Sequence, residues 1–229
     1  GVGANITLSD PNGGGTWSSS NGAVATVNAS GVVTGTGAGN ATITYTLNCA
    51  IATTIVTVNA LPDATINASN GLALTCSNPS TVLTTNCPSC THNWTQNGVF
   101  FATAPNPLVT VGAVYAVTVT DGNGCAASSS DTTTLDNTAP DATITATPGL
   151  TFCQGSSTVL TVPTPGGTTQ VWTQNGVFFA TASNPLVTVG ATYDVTVTNT
   201  ANGCTATSSV TTTLDNTAPT VTVSPTTGT

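Results

Sequence analysis

The 229-residue sequence contains no lysine, arginine, methionine or glutamate. Its formal charge of −8 comes from aspartates alone, and charged residues make up 3% of the chain, against roughly 25% in an ordinary globular protein. Without cationic side chains nothing can pair with phosphates, so neither nucleic acid nor an anionic membrane surface is an expected partner. Bases for catalysis are equally scarce, because His92 is the sole histidine. We therefore expect no enzymatic activity and no cofactor.

Long apolar runs are also missing. No stretch approaches the ~20 apolar residues of a transmembrane helix, so membrane insertion is not expected. A basic leader is absent as well, and Gly1 opens directly into strand-like sequence. We expect that any export signal has been removed or lies outside these residues.

What the sequence does contain is alternation of apolar residues with threonine at period two. The runs ATITYTL (41–47), YAVTVT (115–120) and YDVTVT (193–198) are rich in β-branched residues and are bounded by Gly, Asn, Pro and Asp. Threonine at every second position suits a sheet with one face in the core and one in solvent. No segment shows a capped helical period, so the pattern predicts an all-β protein.

Internal repetition divides the chain. The motif WTQNGVFFAT occurs twice without change, beginning at Trp94 and again at Trp172, and TLDNTAP also recurs. Each copy contains about seven short strands, which is typical of an immunoglobulin-like sandwich. Its Asn-Gly pair predicts a tight hairpin, since both residues tolerate a positive φ. We therefore predict three tandem Ig-like domains and a C-terminal extra strand, with bounds 1–60, 61–140, 141–219 and 220–229.

Two resemblances to known families agree with this division. Residues 15–45, which include TWSSS, VATV, GVVTG and ATITY, resemble the bacterial Ig-like group 2 domain. The two later copies resemble the Ig-like modules repeated in large secreted and cell-surface proteins of gliding bacteria, with CQGSSTVLTV (153–162), Trp172 and an NGC turn (202–204). The resemblance implies an extracellular spacer, adhesive or fibre-forming module located at the bacterial cell surface, and it implies no chemistry.

Seven cysteines fit an oxidising compartment. Cys76 and Cys125 hold the same positions in their copy as Cys153 and Cys204 hold in theirs. From this symmetry we predict one disulfide within each copy, Cys76–Cys125 and Cys153–Cys204. Cys49 matches Cys125 and Cys204, but its expected partner position is Gly1. Either the first domain has lost half of its disulfide, or Cys49 pairs outside the chain.

The CPSC motif supplies a third predicted disulfide, Cys87–Cys90. A redox site needs a helix N-terminus that the sequence does not predict, and zinc needs two further ligands, so a local loop disulfide is favoured over metal. His92 itself is expected to face solvent. Asp136, Asp141 and Asp215 lie at domain junctions, where carboxylates can bind Ca²⁺, but Asx-turns before proline are the favoured interpretation. Asp121 is likewise expected in a hairpin turn.

The uncharged, hydroxyl-rich surface favours covalent glycans, because a bare surface of this kind would self-associate. Sequons provide asparagine acceptors, and DTT (131–133) resembles the Asp-Ser/Thr-x acceptor of this bacterial group. The candidate acceptors are Asn5, Asn28, Asn40, Asn67, Asn93 and Thr132.

The C-terminal segment TVTVSPTTGT (220–229) matches the beginning of a domain, and the first domain lacks that beginning. We predict that this segment of one unit completes the 1–60 domain of the next by strand addition, with Val221 and Val223 entering its core. The polymerisation strand comprises Thr220, Val221, Thr222, Val223, Ser224 and Pro225. Separate subunits and a continuous polyprotein both satisfy the pattern.

Two functions follow from these observations. The chain is predicted to be a unit of an extracellular bacterial filament whose partner is another copy of itself. The alternative is a stalk segment of a large cell-surface adhesin, with carbohydrate binding elsewhere in the protein. Aromatic residues are 5% of the chain and recur at core-like positions of the repeat, which favours the filament.

Overall fold

The computed structural model describes residues 1–11, 13–218 and 220–222, and all the regular structure in these ranges is β-strand. None of the described residues forms a helix that could cross a membrane. The chain divides into two compact units. One unit comprises Gly1–Leu74 and Ser80–Leu135, and the other comprises Thr75–Pro79 and Asp136–Thr229.

The first unit contains two sandwiches. The strands of the first sandwich are β1 (Asn5–Thr7), β2 (Thr16–Ser19), β3 (Ala25–Val27), β4 (Val32–Gly35), β5 (Gly39–Leu47) and β6 (Ala50–Val58). They form two three-stranded sheets, in the orders β1-β4-β3 and β2-β5-β6. The alternation in β5 buries Ala41, Ile43 and Tyr45 and leaves the intervening threonines half-buried.

The second sandwich repeats this plan with additional strands. They are β7 (Ile66–Ala68), β8 (Ala73–Thr75), β9 (Thr81–Thr85), β10 (Thr91–Gln96), β11 (Val99–Ala102), β12 (Leu108–Val109), β13 (Val114–Thr120), β14 (Ala126–Thr132) and β15 (Thr134–Asp136). Its main sheets have the orders β12-β9-β7 and β11-β10-β13-β14, and β15 pairs with β8.

The second unit contains the third sandwich. Its strands are β16 (Thr145–Thr147), β17 (Thr151–Cys153), β18 (Thr158–Thr161), β19 (Thr168–Gln174), β20 (Val177–Ala180), β21 (Leu186–Val187), β22 (Thr192–Asn199), β23 (Thr205–Thr211) and β24 (Thr213–Asp215). The main sheets, β16-β18-β21 and β20-β19-β22-β23, reproduce those of the second sandwich, and β17 pairs in parallel with β24.

Each sandwich has its own hydrophobic cluster. Trp94 and Trp172, at the same position of the repeat, are fully buried in the second and third clusters. The hydroxyls of Tyr115 and Tyr193 each donate a hydrogen bond to a carbonyl four residues earlier, at 3.3 and 3.2 Å. A tyrosine that closes a corner in this way is a feature of immunoglobulin folds. The predicted all-β, tandem Ig-like architecture is therefore confirmed.

The Asn-Gly hairpins are confirmed as well. Asn97 and Gly98 have φ values of 49° and 80°, and Asn175 and Gly176 have values of 49° and 79°. Two consecutive positive φ angles define the tight turn whose twist matches that of paired strands. The asparagine side chains brace the turns, because Asn97 Oδ1 accepts a hydrogen bond from Val114 N and Asn175 Oδ1 accepts one from Thr192 N.

Candidate assembly site

The first sandwich has an uncovered sheet edge at β1. In the other two sandwiches the matching strand is central, since β9 lies between β12 and β7, and β18 lies between β21 and β16. β1 pairs with β4 alone among the described residues. Its second edge therefore presents backbone groups that the equivalent strands satisfy with a neighbouring strand, and such an edge can accept an added strand.

Side-chain burial along β1 reflects the same difference. Ile6 corresponds to Thr81 and Thr158, which are fully buried, yet Ile6 itself is 49% exposed. Leu8 corresponds to Leu83 and Leu160, which are also fully buried, whereas Leu8 is half-buried. A large apolar side chain exposed where its counterparts are covered indicates a missing neighbour.

Two cavities lie along the seam between β1 and β6. The larger, of about 210 Å³, is lined by apolar residues that include Leu8, Trp17 and Ile43, by the polar residues Ser9 and Asp10, and by the β6 segment 52–54. The smaller cavity, of about 80 Å³, is lined by residues that include Ile6, Val33, Val56 and Val58. Apolar side chains from both sheets thus meet at an open groove alongside the uncovered edge.

Half of the predicted polymerisation strand lies outside the described residues, which exclude Val223, Ser224 and Pro225. Thr220, Val221 and Thr222 are described, and all three are exposed and outside any strand. Val221 is 77% exposed. An exposed β-branched residue of this kind is available for burial by another surface.

The predicted disulfides within the copies are wrong. Cys76 bonds to Cys204, at a sequence separation of 128 and a Cα–Cα distance of 4.9 Å, and Cys125 and Cys153 are free thiols. Repeat symmetry correctly identifies equivalent positions, but it cannot say whether a position pairs within its own copy or with the adjacent copy. The local Cys87–Cys90 disulfide is confirmed.

The Cys76–Cys204 disulfide is surrounded by hydrogen bonds within its unit. Asn202 Nδ2 donates to Asp136 Oδ1 at 3.1 Å and to the carbonyl of Thr138 at 3.0 Å. The backbone N–H of Ser77 donates to the Asn202 carbonyl at 3.1 Å. Hydrogen bonds hold the pKa of Asp136 below its ordinary value, and the bond from the Thr138 N–H contributes more than the bond from Asn202. The charged form of Asp136 therefore accepts these hydrogen bonds beside the disulfide.

The other junction aspartates form the expected Asx-turns. The N–H groups of Thr143 and Thr217 donate to Asp141 and Asp215, each at 2.8 Å. Asp121 likewise accepts hydrogen bonds from the N–H groups of Asn123 and Cys125 in the hairpin between β13 and β14. No group of three or more His, Cys, Asp or Glu side chains among the described residues could hold a metal ion.

Gly1 occupies the position that corresponds to a cysteine in the later copies. The carbonyl of Gly1 accepts a hydrogen bond from Ala4 N, and the carbonyl of Cys153 accepts the same bond from Ser156 N. A β-carbon placed on Gly1 would overlap the sulfur of Cys125. The Gly1–Cys125 contact thus repeats the Cys76–Cys204 relationship with one thiol removed.

The first sandwich matches the family model of the bacterial Ig-like domain, group 2. The family model matches residues 4–58, which confirms the resemblance carried by residues 15–45. A comparison with curated proteins finds no match.

Comparison with solved structures returns matches of low sequence identity, among them two bacterial adhesins and an S-layer protein. The chain is similar to a Ca²⁺-stabilised adhesin of an ice-binding Antarctic bacterium (19% identity, TM-score 0.41, covering 90% of this chain and 66% of that one). It is also similar to part of a 1.5-MDa bacterial ice-binding adhesin (17%, 0.42, 83% and 82%). Domains 7, 8 and 9 of the S-layer protein SbsC are a further match (13%, 0.29, 90% and 82%).

His92 does not face solvent as the sequence predicted. It is buried, and its Nε2 is 2.9 Å from the Thr85 hydroxyl. The alternation that buries Trp94 also buries His92 two residues earlier, on the same face of β10.

The glycan candidates are all exposed. In the first sandwich they are Asn5, Asn28 and Asn40, and in the second sandwich they are Asn67, Asn93 and Thr132. Exposure makes these side chains accessible to a modifying enzyme, and whether they carry glycans stays a prediction.

The aromatic residues are not confined to the core. Phe100 and Phe178 are 66% and 67% exposed, and each follows an exposed valine at the end of its Asn-Gly hairpin. Phe101 and Phe179 turn inwards and contact Tyr115 and Tyr193 edge to face, with ring centroids 5.3 Å apart. The repeat therefore places one identical apolar hairpin on the surface of each later sandwich.

Sequence reasoning predicted the missing strand and an open seam, but not all the residues that line the groove. The β6 segment 52–54 was not singled out, because its place in the groove depends on how the two sheets of the first sandwich face each other. One feature of the sequence could have predicted the contact of Gly1 with Cys125, because Gly1 aligns with Cys76 and Cys153.

Proposed function

We propose that the chain is the repeating unit of an extracellular filament, in which residues 220–229 of one unit lie along β1 of the next. The observation that supports the proposal is the uncovered edge of β1 beside a groove that Leu8, Trp17 and Ile43 help to line. Strand addition satisfies the backbone groups of that edge and buries alternate side chains in one step.

The donor segment has the pattern of the strand that the other sandwiches use at this position. In the third sandwich, Ile144 and Ala146 pack against the hydrophobic cluster, and Pro148 follows two residues later. Val221, Val223 and Pro225 have the same spacing. Ile66 and Ala68 pack against the cluster of the second sandwich in the same way.

The strand register specifies where the donor valines lie. Ala68 pairs with Leu83, and Ala146 pairs with Leu160. Leu8 is the counterpart of both leucines, so an antiparallel donor in this register places Val223 beside Leu8, next to the larger cavity. Burying one valine is worth about 1.5–3 kcal/mol, which favours docking of the segment in addition to its backbone hydrogen bonds.

Repeating this contact builds an open polymer. The donor and acceptor surfaces differ, so the interface is head-to-tail, and such contacts extend without limit unless the rotation between units closes a ring. Another copy of the same chain is therefore the partner, and the protein acts outside the cell as a structural element without enzymatic activity.

The first test uses a truncated chain as the acceptor and a synthetic peptide as the donor strand. A chain truncated to residues 1–219 is expected not to polymerise, and a synthetic TVTVSPTTGT peptide should bind it and raise its melting temperature. A peptide with Val221→Asp and Val223→Asp should not bind, because both charges would enter the core. The matched control, with Thr220→Asp and Thr222→Asp, places the same charges on the opposite face and should retain binding.

Electron microscopy of the full chain provides the second measurement. Filaments with a repeat near three domain lengths are expected from residues 1–229 and not from residues 1–219. Filaments formed by the truncated chain would contradict strand donation, as would equal binding of the two charged peptides.

The exposed Phe100 and Phe178 favour a second function, the stalk of a large adhesin. Two identical apolar hairpins on successive sandwiches can make repeated contacts with a surface or a neighbouring stalk. Replacing both residues with serine should reduce such lateral association but leave filament formation intact. Loss of filaments in that variant would instead place the hairpins in the filament interface.

A further inference from the structure

We propose that Cys153 of one unit and Cys49 of the following unit form a disulfide, which cross-links the filament covalently. The proposal rests on the head-to-tail order of the proposed function. It concerns the two exposed free cysteines of the described chain, which lie in the third and first sandwiches respectively.

The three cysteines near the end of each sandwich occupy one structural position. Cys49, Cys125 and Cys204 each lie in the turn between the last two long strands, β5–β6, β13–β14 and β22–β23. Each directly follows a residue with positive φ, namely Asn48 at 53°, Gly124 at 77° and Gly203 at 71°. We call these the turn cysteines.

The residues near the start of each sandwich form a second equivalent set: Gly1, Cys76 and Cys153. Each lies just before the strand that is β1, β9 or β18 in its own sandwich. Gly1 and Cys153 also share the same turn, because a residue with positive φ follows each of them two positions later, Gly3 at 81° and Gly155 at 82°. We call these the entry residues.

Two junctions in the chain show how the sets combine. The entry residue Cys76 of the second sandwich bonds to the turn cysteine Cys204 of the third. The entry residue Gly1 of the first sandwich lies against the turn cysteine Cys125 of the second. In both cases an entry residue meets the turn cysteine of the sandwich that follows it.

The same rule assigns the remaining pair. The entry residue Cys153 belongs to the third sandwich, and in a head-to-tail filament the next sandwich is the first one of the following unit. The turn cysteine of that sandwich is Cys49. Both thiols are exposed, so each is accessible to the other unit.

The third sandwich already displays its half of such a junction. Cys153 ends β17, which pairs in parallel with β24, so that Cys153 lies opposite Asp215. At the formed junction, Cys76 directly follows β8, and β8 pairs with β15, which ends at Asp136. Asp215 accepts a hydrogen bond from Thr217 N at 2.8 Å, as Asp136 does from Thr138 N at 3.1 Å.

Formation of the bond requires an oxidant, which we specify as a disulfide. The Cys49 thiolate attacks a disulfide RSSR, forming a mixed disulfide and releasing one RSH after protonation. The Cys153 thiolate of the adjacent unit then attacks the Cys49 sulfur and releases the second RSH. Two protein thiols are oxidised to one disulfide while RSSR is reduced to two thiols, and the two thiol protons pass to the products.

Two single-cysteine variants test the pairing. The chain with Cys49→Ser and the chain with Cys153→Ser are assembled separately and together with glutathione disulfide, then run on a denaturing gel without reductant. Wild-type chains should give a ladder of covalent multimers. Each variant alone should give monomers, and an equal mixture should give dimers and nothing larger. Cys125→Ser, which alters a free cysteine outside the pair, should keep the ladder.

Dimers from a single variant would show symmetric pairing and would overturn the proposal. The proposal would also be overturned if filaments are visible by electron microscopy but the denatured chains run only as monomers on the gel. That result would leave the proposed function intact.

A direct tandem fusion of two full chains keeps the disulfide testable when separate chains do not form filaments. Alkylation should then modify four cysteines, and peptide mapping after cleavage at aspartate should link a peptide that contains Cys153 to a peptide that contains Cys49. Six alkylated cysteines would overturn the proposal. If the fusion contains the disulfide but separate chains do not polymerise, the result would contradict only a filament of separate subunits and would leave the continuous polyprotein.

Discussion

Gly1 lies so close to Cys125 that a β-carbon on Gly1 would overlap the cysteine sulfur. The equivalent residues Cys76 and Cys204 are joined by a disulfide. The contact between Gly1 and Cys125 therefore lacks a disulfide because Gly1 has no side chain.

The first prediction restores that side chain. Gly1→Cys should form a disulfide with Cys125 and raise the free energy of unfolding of the first unit by about 2–4 kcal/mol, because a long loop is closed in the unfolded chain. Thiol counting and melting temperature measure the effect, and added reductant should abolish it. Gly1→Ser is the control that cannot oxidise. A Gly1→Cys chain with an extra reactive thiol and no gain in stability would refute the prediction.

The second prediction compares the two buried tryptophans. Trp172 Nε1 donates to the Ala182 carbonyl at 3.0 Å, whereas Trp94 Nε1 has no partner among the described residues. Trp172→Phe should therefore destabilise its sandwich by about 1 kcal/mol more than Trp94→Phe destabilises its own. Scanning calorimetry of the two variants measures the difference, and an equal or reversed order would contradict it.

The third prediction concerns the buried contact of His92 with Thr85. Thr85→Val removes the hydroxyl and leaves the imidazole nitrogen unpaired, which should cost about 1–3 kcal/mol of stability. Thr84→Val, on the opposite face of the same strand, is the matched control and should change stability far less. Urea unfolding provides the measurement, and equal losses in the two variants would argue against a hydrogen bond at His92.

The fourth prediction concerns the pH dependence of folding stability that arises from Asp63. Hydrogen bonds from the Thr65 side chain, from Asn86 and from the Thr65 N–H lower the pKa of Asp63 to about 2. Because the folded pKa lies below the unfolded value, the carboxylate stabilises the fold above about pH 4, and this contribution is lost as the pH falls towards 2. Asn86→Ala should raise the Asp63 pKa. Carboxyl NMR titration tests both values, and an Asp63 midpoint near 4 in the unaltered chain would refute the assignment.

The fifth prediction is covalent modification. Protein from the native source should exceed the polypeptide mass of 22.4 kDa in intact-mass measurement, because the uncharged surface presents exposed acceptors. Enzymatic or chemical deglycosylation should return the mass to that value. A native mass equal to that of the bare polypeptide would exclude glycans.

Local patterns in the sequence were sufficient for the architecture. Period-two alternation predicted strands such as β13 and β22, and Asn-Gly pairs predicted the hairpins at Asn97 and Asn175. The exact repeat placed Trp94 and Trp172 at equivalent core positions. These features depend on neighbouring residues and on the preference of each residue for its backbone angles, so they can be inferred without knowing what packs against them.

Tertiary structure decided everything that depends on partners distant in the chain. The sequence marks Cys76, Cys125 and Cys204 as equivalent or complementary positions, but only the packing brings Cys76 to Cys204. Likewise, alternation places His92 on a face without saying that Thr85 will cover it. The repeat predicts a missing strand beside β1 without saying which side chains of the opposite sheet line the seam. Disulfide pairing, buried hydrogen bonds and the lining of a seam each require two surfaces to meet, and a linear pattern determines only one surface at a time.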